Sequence, residues 1–236
     1  MKRMRMMGLL LVVVFAFSVA ATSASAAPVF YTKVVMGGTA SAPVTFTGTL
    51  GAAFLEGEVS KSKIECAGGT AAGKVTGPTT TKENNTTFTG CKAQGFPCNS
   101  TGDPEGVIKT APLEGELGDV KAGTPGVRLF REGAKGTGEL ATFSCAGGAI
   151  GVKVKGSVIG QLSGAAGTVV SEGKFAASNK LTFAEAGGKQ KYNKFLGEAG
   201  SEQLESKVGE GGFEKSGQSV IATLKGSGVS NLGFTK

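Results

Sequence analysis

The sequence has no histidine and no tryptophan, and it contains only two aspartates, Asp103 and Asp119. Without histidine, Ser-His-Asp and Cys-His catalysis and histidine-ligated zinc are excluded. The two aspartates are far apart, so there is no D-x-D-x-D calcium loop, and neither a Walker loop nor a Rossmann fingerprint is present. The lack of tryptophan, with only Tyr31 and Tyr192 as tyrosines, also weakens the case for a sugar-stacking platform. We therefore predict no cofactor and no metal site.

A long amphipathic helical stripe is also missing, whereas glycine is abundant, with 40 residues. Each glycine inside a helix costs about 1 kcal/mol, so this composition disfavours helices. Apolar and polar residues alternate over short runs at 44–47, 152–155, 181–183 and 220–224. Such runs, separated by glycine-rich segments, are typical of strands with one buried face. The pattern predicts an all-β chain: a single antiparallel β-sandwich or barrel of many short strands.

Glycine and proline also mark the expected turns, because they supply backbone conformations that strands cannot use. We predict hairpin tips at 187–188 and 209–212. Further turns are predicted at 37–38, 77–78 and 124–126.

The amino terminus has the order of a secretory signal peptide. Lys2, Arg3 and Arg5 precede an uncharged, largely apolar stretch, and small residues follow up to Ala26. The apolar stretch is about 14 residues, whereas a membrane-spanning helix needs roughly 20. We predict a signal peptide over residues 1–26 and one secreted, β-rich domain over residues 27–236. No later segment is apolar and long enough to be a stable membrane anchor.

The formal net charge of +7 is partly due to the signal peptide, which carries three of the positive charges. The remaining excess of lysine and arginine is mild, and the basic residues are scattered singly. A stripe of basic residues is the usual mark of nucleic-acid binding, so no nucleic-acid partner is expected.

Four cysteines, Cys66, Cys91, Cys98 and Cys145, follow the signal peptide, and an even number in an exported chain predicts two disulfides. Three pairings are possible. We favour Cys91–Cys98, which would pin the turn-rich segment between them, together with Cys66–Cys145. A metal site is the competing interpretation, but the spacing lacks C-x-x-C and no histidine could assist.

The second pairing depends on an internal similarity. The motif CAGG occurs at 66–69 and 145–148, and LEGE occurs at 55–58 and 113–116. The two motifs recur at different distances along the chain, so this is not a simple tandem repeat. Either an internal pseudo-duplication with a hairpin inserted at 121–138 or chance similarity explains the repeated motifs. In a pseudo-symmetric duplication Cys66 and Cys145 would occupy equivalent strands near the axis and could meet.

Paired glutamates are the remaining catalytic possibility. Glu56 and Glu58 are two residues apart, as are Glu114 and Glu116, so on a strand each pair points to one face. Glycosidases place their two carboxyl groups about 5 Å apart or about 6.5–9.5 Å apart. The same spacing is also the ordinary polar side of an amphipathic strand, so these four residues are the weaker alternative.

Six short motifs lie between about residue 50 and residue 224: KIECAG at 63–68, GKVTGP at 73–78, TFTGC at 87–91, PC at 97–98, TAPLEGELG at 110–118 and KGSVIG at 155–160. Their order resembles a group of exported four-cysteine, glycine-rich bacterial proteins of unknown function. The resemblance implies one exported β domain and brings no catalytic residues.

These features favour a secreted, non-catalytic protein, a binding or structural module at or outside the cell envelope. Its expected partner is a cell-envelope polymer or an extracellular protein. Two alternatives stay open. One is a secreted hydrolase that uses the paired glutamates, and the other is an inhibitor- or toxin-like module whose Cys91–Cys98 loop engages a protein.

Overall fold

A computed structural model describes residues 28, 30–32, 44–164, 179–226 and 232–234 of the 236-residue chain. The predicted signal peptide and the predicted turn at 37–38 lie outside these residues. The described residues form strands, turns and bends with no helix, and so none that could cross a membrane. The prediction of an all-β fold is confirmed.

Nineteen strands occur in this part of the chain. They are β1 (Phe30–Thr32), β2 (Val44–Leu50), β3 (Ala53–Gly57), β4 (Lys63–Cys66), β5 (Gly68–Val75), β6 (Thr80–Thr89), β7 (Lys92–Ala93), β8 (Phe96–Asn99), β9 (Ile108–Lys109), β10 (Leu113–Lys121), β11 (Thr124–Arg131), β12 (Glu139–Cys145), β13 (Ile150–Gly164), β14 (Asn179–Phe183), β15 (Glu185–Ala186), β16 (Lys189–Gln190), β17 (Leu204–Val208), β18 (Glu214–Gly226) and β19 (Leu232–Phe234).

Fifteen strands form one antiparallel sheet, and fourteen of them close into two circuits, while β9 pairs only with β6. The first circuit runs β10–β11–β13–β14–β18–β2–β5–β6 and returns to β10. The second runs β12–β13–β17–β18–β3–β4–β7–β8 and returns to β12. Both contain β13 and β18, the two longest strands, with 15 and 13 residues. The two circuits therefore stack along these strands into one barrel-like structure.

Each long strand changes its neighbours near its middle. The first half of β13 lies between β12 and β17, and the second half lies between β11 and β14. Gly156 stands at the change with a φ of 99°. A Cβ at this position would collide with the carbonyl oxygen of Gln203, so the close approach of the neighbouring chain requires glycine.

The core lies inside the barrel, and the alternation read from the sequence places it there. Val152 and Val154 of β13 are buried, whereas Lys153 between them is exposed. The same alternation operates around the ring, and buried apolar side chains from both circuits meet in a single cluster: Leu50, Ile64, Leu113, Leu129, Phe143, Val158, Leu181, Leu204 and Val220.

All four predicted cysteines form disulfides, but the favoured pairing is wrong. The bonds are Cys66–Cys91 and Cys98–Cys145. Cys98 and Cys145 face each other directly on the neighbouring strands β8 and β12. In the chain-entropy model, loops of 25 and 47 residues stabilise by about 3.5 and about 4 kcal/mol respectively. Each bond therefore links two segments that are distant in the sequence, and neither bond closes the turn between Cys91 and Cys98.

The physical reason for the wrong pairing is that the repeated CAGG motif has two different structures. At 66–69 the chain passes from β4 into β5 through a single bend at Ala67, with no residue of positive φ. At 145–148 it turns, with φ values of 54°, 65° and 96° at Ala146, Gly147 and Gly148. The two cysteines are therefore not equivalent positions, and the argument from pseudo-symmetry fails.

Turn predictions have mixed outcomes. The tips at 187–188 and 209–212 connect β15 to β16 and β17 to β18, and 77–78 lies between β5 and β6, as predicted. The prediction of a turn at 124–126 is wrong, because these residues begin β11.

Gly123, with a φ of 66°, provides the turn one residue earlier. Pro125 is compatible with the strand because pairing with β13 begins only at Gly126.

One part of the barrel has both faces covered. Residues 124–130 of β11 are all buried, because the segment 191–203 packs against the outside of the sheet. Arg128, with a side chain only 1 % exposed, holds this segment. Its guanidinium donates hydrogen bonds to both carboxylate oxygens of Glu198, and it lies 4.5 Å from the ring centroid of Phe195. We call this arrangement the Arg128 clasp.

Further carboxylates complete the Arg128 clasp. Arg128 Nη1 lies 3.3 Å from Oε2 of Glu116, and Nε lies 3.7 Å from Oε2 of Glu202, which also accepts a 2.8 Å hydrogen bond from Ser157. Hydrogen bonding to Arg128 lowers the pKa of Glu198. The clasp therefore depends on a single buried cation surrounded by acidic groups.

Replacing that cation should destabilise the fold. Arg128→Met keeps much of the packing against Phe195 but leaves Glu116, Glu198 and Glu202 without their common partner, and we expect a loss of about 2–4 kcal/mol in unfolding free energy. Urea denaturation measures it. The control is Arg131→Met on the same strand, where the side chain is exposed, and its effect should stay within about 0.5 kcal/mol. Equal losses in the two variants would contradict the role of the clasp.

Candidate functional site

The barrel contains a cavity of about 120 Å³. Strands from both circuits contribute to its wall, which is almost entirely apolar. Representative wall residues are Leu50, Ile64, Leu129, Phe143, Leu181 and Val220. An apolar cavity of about 150 Å³ is known to stay dry and to bind benzene. A cavity of this size and lining is therefore suited to an apolar molecule of about six heavy atoms.

Glu83 on β6 is the single ionisable side chain among the described residues that line this cavity. The residue is only 7 % exposed. Thr86 Oγ1 donates a 3.2 Å hydrogen bond to Glu83 Oε2. Thr110, also in the wall, accepts a 2.9 Å hydrogen bond from the Thr86 backbone N–H through its own hydroxyl oxygen. Glu83, Thr86 and Thr110 thus form a small polar group in the wall, where Gln218 is the other polar lining residue among those described.

A β-bulge places Glu83 and Thr86 on the same face of the strand. Residues three apart on a regular strand point to opposite faces. Here β5 pairs Ala72 with Asn85 and Gly73 with Glu83, so Asn84 is an additional residue in β6. Bulges of this kind change the direction of a side chain, and they are common next to functional sites. Without the extra residue, the threonine and the carboxyl group could not meet inside the barrel.

Burial raises the pKa of Glu83 to about 7, and the Thr86 hydrogen bond opposes this effect only in part. The residues packed around it explain the shift. Gly73 and Leu113 are its partners on the neighbouring strands β5 and β10, and Phe46 of β2 lies beside Gly73. None of these can carry charge, so the carboxyl group exchanges its proton near neutral pH.

The structure does not bring the two sequence-predicted glutamate pairs together. Glu56 lies on β3 and Glu58 in the turn after it, while Glu114 and Glu116 lie on β10, and β3 and β10 are not neighbours in the sheet. None of the four lines the cavity. Basic residues pair with three of them outside the cavity: Lys189 with Glu58, Lys82 with Glu114, and the buried Arg128 and Lys135 with Glu116.

Two other features bear on function. Within the described ranges, no group of three or more potential ligands could hold a metal ion. The β7–β8 hairpin turns at Gln94 and Gly95, both with positive φ, which is the geometry of a tight two-residue turn. Phe96, next to this turn, is 57 % exposed. The hairpin therefore presents a large apolar side chain on a rigid support.

Sequence reasoning missed Glu83 and Arg128. Glu83 lies in the polar run TTKENNTTFT, where nothing distinguishes an inward-facing residue from a solvated one. The bulge at Asn84 also breaks the two-residue period from which its orientation could have been read. Arg128 follows the pattern of a scattered surface charge, and only the position of the 191–203 segment makes it buried.

Comparison of the chain with protein-family models, with curated proteins and with solved structures finds no match.

The buried carboxyl group should make stability depend on pH. In the folded state the pKa of Glu83 is about 7, against an ordinary value of 4.5, so between these values the folded state binds more protons than the unfolded state. Stability must therefore fall as pH rises through this window, by about 3 kcal/mol in total. Glu83→Gln should remove this loss and exceed the wild type in stability at pH 8 but not at pH 4.

Urea denaturation from pH 4 to pH 8 tests the effect, with Glu105→Gln as the control because Glu105 is exposed. The control should follow the wild-type curve. If the difference in unfolding free energy between the wild type and Glu83→Gln were the same at every pH, Glu83 would not titrate in this range.

Proposed function

We propose that this chain is a secreted, non-catalytic binding protein that holds a small apolar molecule inside its barrel. The observation that carries the proposal is the apolar cavity of about 120 Å³ with a single carboxyl group in its wall. Ligand sites in proteins are usually concave and mostly apolar, with a few polar groups that fix the orientation of the ligand. The cavity has both features.

The energetics support a binding role. Protein interiors are close-packed, and voids larger than a water molecule are few. In large-to-small core variants an enclosed cavity costs about 24 cal/mol per Å³, so an unfilled space of about 120 Å³ costs up to about 3 kcal/mol. A ligand that fills the cavity recovers the contacts that its wall lacks.

Two disulfides support a location in an oxidising compartment, since such bonds persist mainly outside the cytosol. The cavity also narrows the class of partner that was expected from the sequence. A space of this size takes a small molecule rather than a cell-envelope polymer. The hydrolase alternative loses support, because its glutamate pairs lie apart and outside the cavity.

Benzene is a suitable first probe because it matches the cavity in size and polarity. Ala222 lines the cavity, and its neighbour Ile221 is 49 % exposed on the outer face. Ala222→Met adds three heavy atoms inside the barrel, whereas Ile221→Met leaves the interior unchanged. We expect saturable benzene binding by the wild type and by Ile221→Met, and at least a ten-fold weaker affinity in Ala222→Met.

Titration followed by NMR chemical shifts measures these affinities. Wall residues of both circuits should shift, while the outer loops should not. A wild-type protein without saturable shifts at these residues, or an Ala222→Met variant with unchanged affinity, would refute the cavity as a ligand site.

One observation favours a second candidate function, a protein-binding module. Phe96 projects from the tight β7–β8 turn, and disulfides anchor both flanks of the hairpin through Cys91 and Cys98. An exposed aromatic side chain on a rigid loop is a typical anchor for a protein partner. This version of the inhibitor-like alternative differs from the sequence-based one, because Cys91 and Cys98 each bond to a cysteine outside the hairpin and not to each other.

Phe96→Ser should abolish capture of such a partner from culture medium, because the anchor is lost while the hairpin keeps its turn. Pull-down followed by mass spectrometry measures capture. Phe213→Ser is the matched control, since Phe213 is also exposed, at 39 %. A partner retained by Phe96→Ser would exclude this side chain as the anchor.

A further inference from the structure

We propose that the cavity selects an apolar amine, with the ammonium group of the ligand held by the Glu83 carboxylate. The inference rests on the proposed function and adds the chemical class of the ligand. It depends on two observations: the neighbours of the carboxyl group are uncharged, and no lysine or arginine among the described residues pairs with it.

The carboxyl group has unused hydrogen-bonding capacity. An ionised carboxylate offers about four acceptor positions on its two oxygens. Among the described residues, the only side-chain hydrogen bond to Glu83 comes from Thr86 Oγ1, and no lysine or arginine forms an ion pair with it. Its neighbour Lys82 points to the other face of the strand, where it pairs with Glu114 and Glu132.

Every element packed around Glu83 presents an uncharged group. β5 contributes Gly73, β10 contributes Leu113, and β2 contributes Phe46. The Thr86 hydroxyl group donates a hydrogen bond to Glu83, and the Thr110 hydroxyl group accepts one from the Thr86 backbone N–H. The only charge that the described cavity wall can present to a ligand is therefore one negative charge.

Ligand classes differ in how they meet this charge. A hydrocarbon fills the cavity but leaves Glu83 without a partner. A carboxylic acid places a second acidic group beside it, which is unfavourable when both are ionised. An alcohol donates one hydrogen bond without neutralising the charge. An ammonium group donates up to three hydrogen bonds and forms an ion pair, whose Coulomb attraction is stronger in an apolar environment than in water and offsets the desolvation of the two charges.

Three probes with six heavy atoms each separate these classes: methylcyclopentane, cyclopentanol and cyclopentylamine. Their affinities should be measured by calorimetry at pH 8 for the wild type, Glu83→Gln and Glu114→Gln. The last variant makes the same chemical change on the outer face of β10, where Glu114 pairs with Lys82.

At pH 8 we expect the wild type and Glu114→Gln to bind cyclopentylamine at least about ten-fold more tightly than cyclopentanol. Glu83→Gln should bind methylcyclopentane at least as well as the wild type and lose the preference for the amine. In the wild type, amine affinity should also rise from pH 5 to pH 8, because Glu83 gains its charge in this range while an alkyl amine stays protonated to about pH 10.

The outcomes separate the two proposals. If methylcyclopentane binds but cyclopentylamine has no advantage over cyclopentanol, or keeps its advantage in Glu83→Gln, the amine proposal is wrong and the cavity remains a ligand site. If none of the three probes binds, both proposals are wrong and the cavity is only a loosely packed part of the core.

Discussion

Closure of the sheet is the constraint on which the rest of this molecule depends. Within each circuit every strand of the described residues pairs with a neighbour on both sides over at least part of its length, and closure of this kind reduces the free edge that a sheet offers to other chains. Closure also fixes the interior, because side chains that alternate along every strand must point either into one shared space or away from it. β13 and β18 carry this constraint from one circuit to the other, since each supplies half of its length to either ring. The core, the cavity and the buried carboxyl group are consequences of the closed ring and not of any single hairpin.

Glu83 lies at the place where the first circuit closes. The pairing of β6 with β10 completes that ring, and Glu83 stands opposite Leu113 within it. A carboxyl group at this point is a local conflict, because every neighbour from β2, β5 and β10 is uncharged and burial opposes ionisation. Natural sequences agree with their folds at most positions, and departures concentrate at functional or strained sites. The bulge at Asn84 strengthens this argument, since it is the feature that turns Thr86 toward the same carboxyl group.

The sequence was sufficient to predict those features that depend on neighbouring residues in the chain. The alternation around Val152 and the glycines at 187–188 and 209–212 act over a few residues, and strands and turns follow from them.

The disulfide pairing, by contrast, depends on which strands become neighbours after the sheet closes. Cys98 meets Cys145 because β8 is next to β12 in the second circuit, and no local pattern contains that order. Arg128 and Glu83 are buried for the same kind of reason, one under a distant segment and the other inside a ring that forms only when β6 meets β10.

Some features of the barrel lower the stability of the folded state and others raise it, and the lowering features lie in the interior. In the absence of a ligand, the unfilled cavity lowers the stability of the folded state by up to about 3 kcal/mol, and from about pH 7 upward Glu83 lowers it by about 3 kcal/mol more. Changes as small as an alanine to methionine or a glutamate to glutamine would remove these losses without altering the course of the backbone. Two disulfides and the Arg128 clasp stabilise the fold, and one disulfide reaches the cavity wall through Cys66. A ligand that fills the void and neutralises the carboxylate reverses both losses at once, and because it binds only the closed barrel, its binding free energy adds directly to the stability of the fold. The barrel therefore places its two weak points, the unfilled cavity and the buried carboxyl group, together in one interior space.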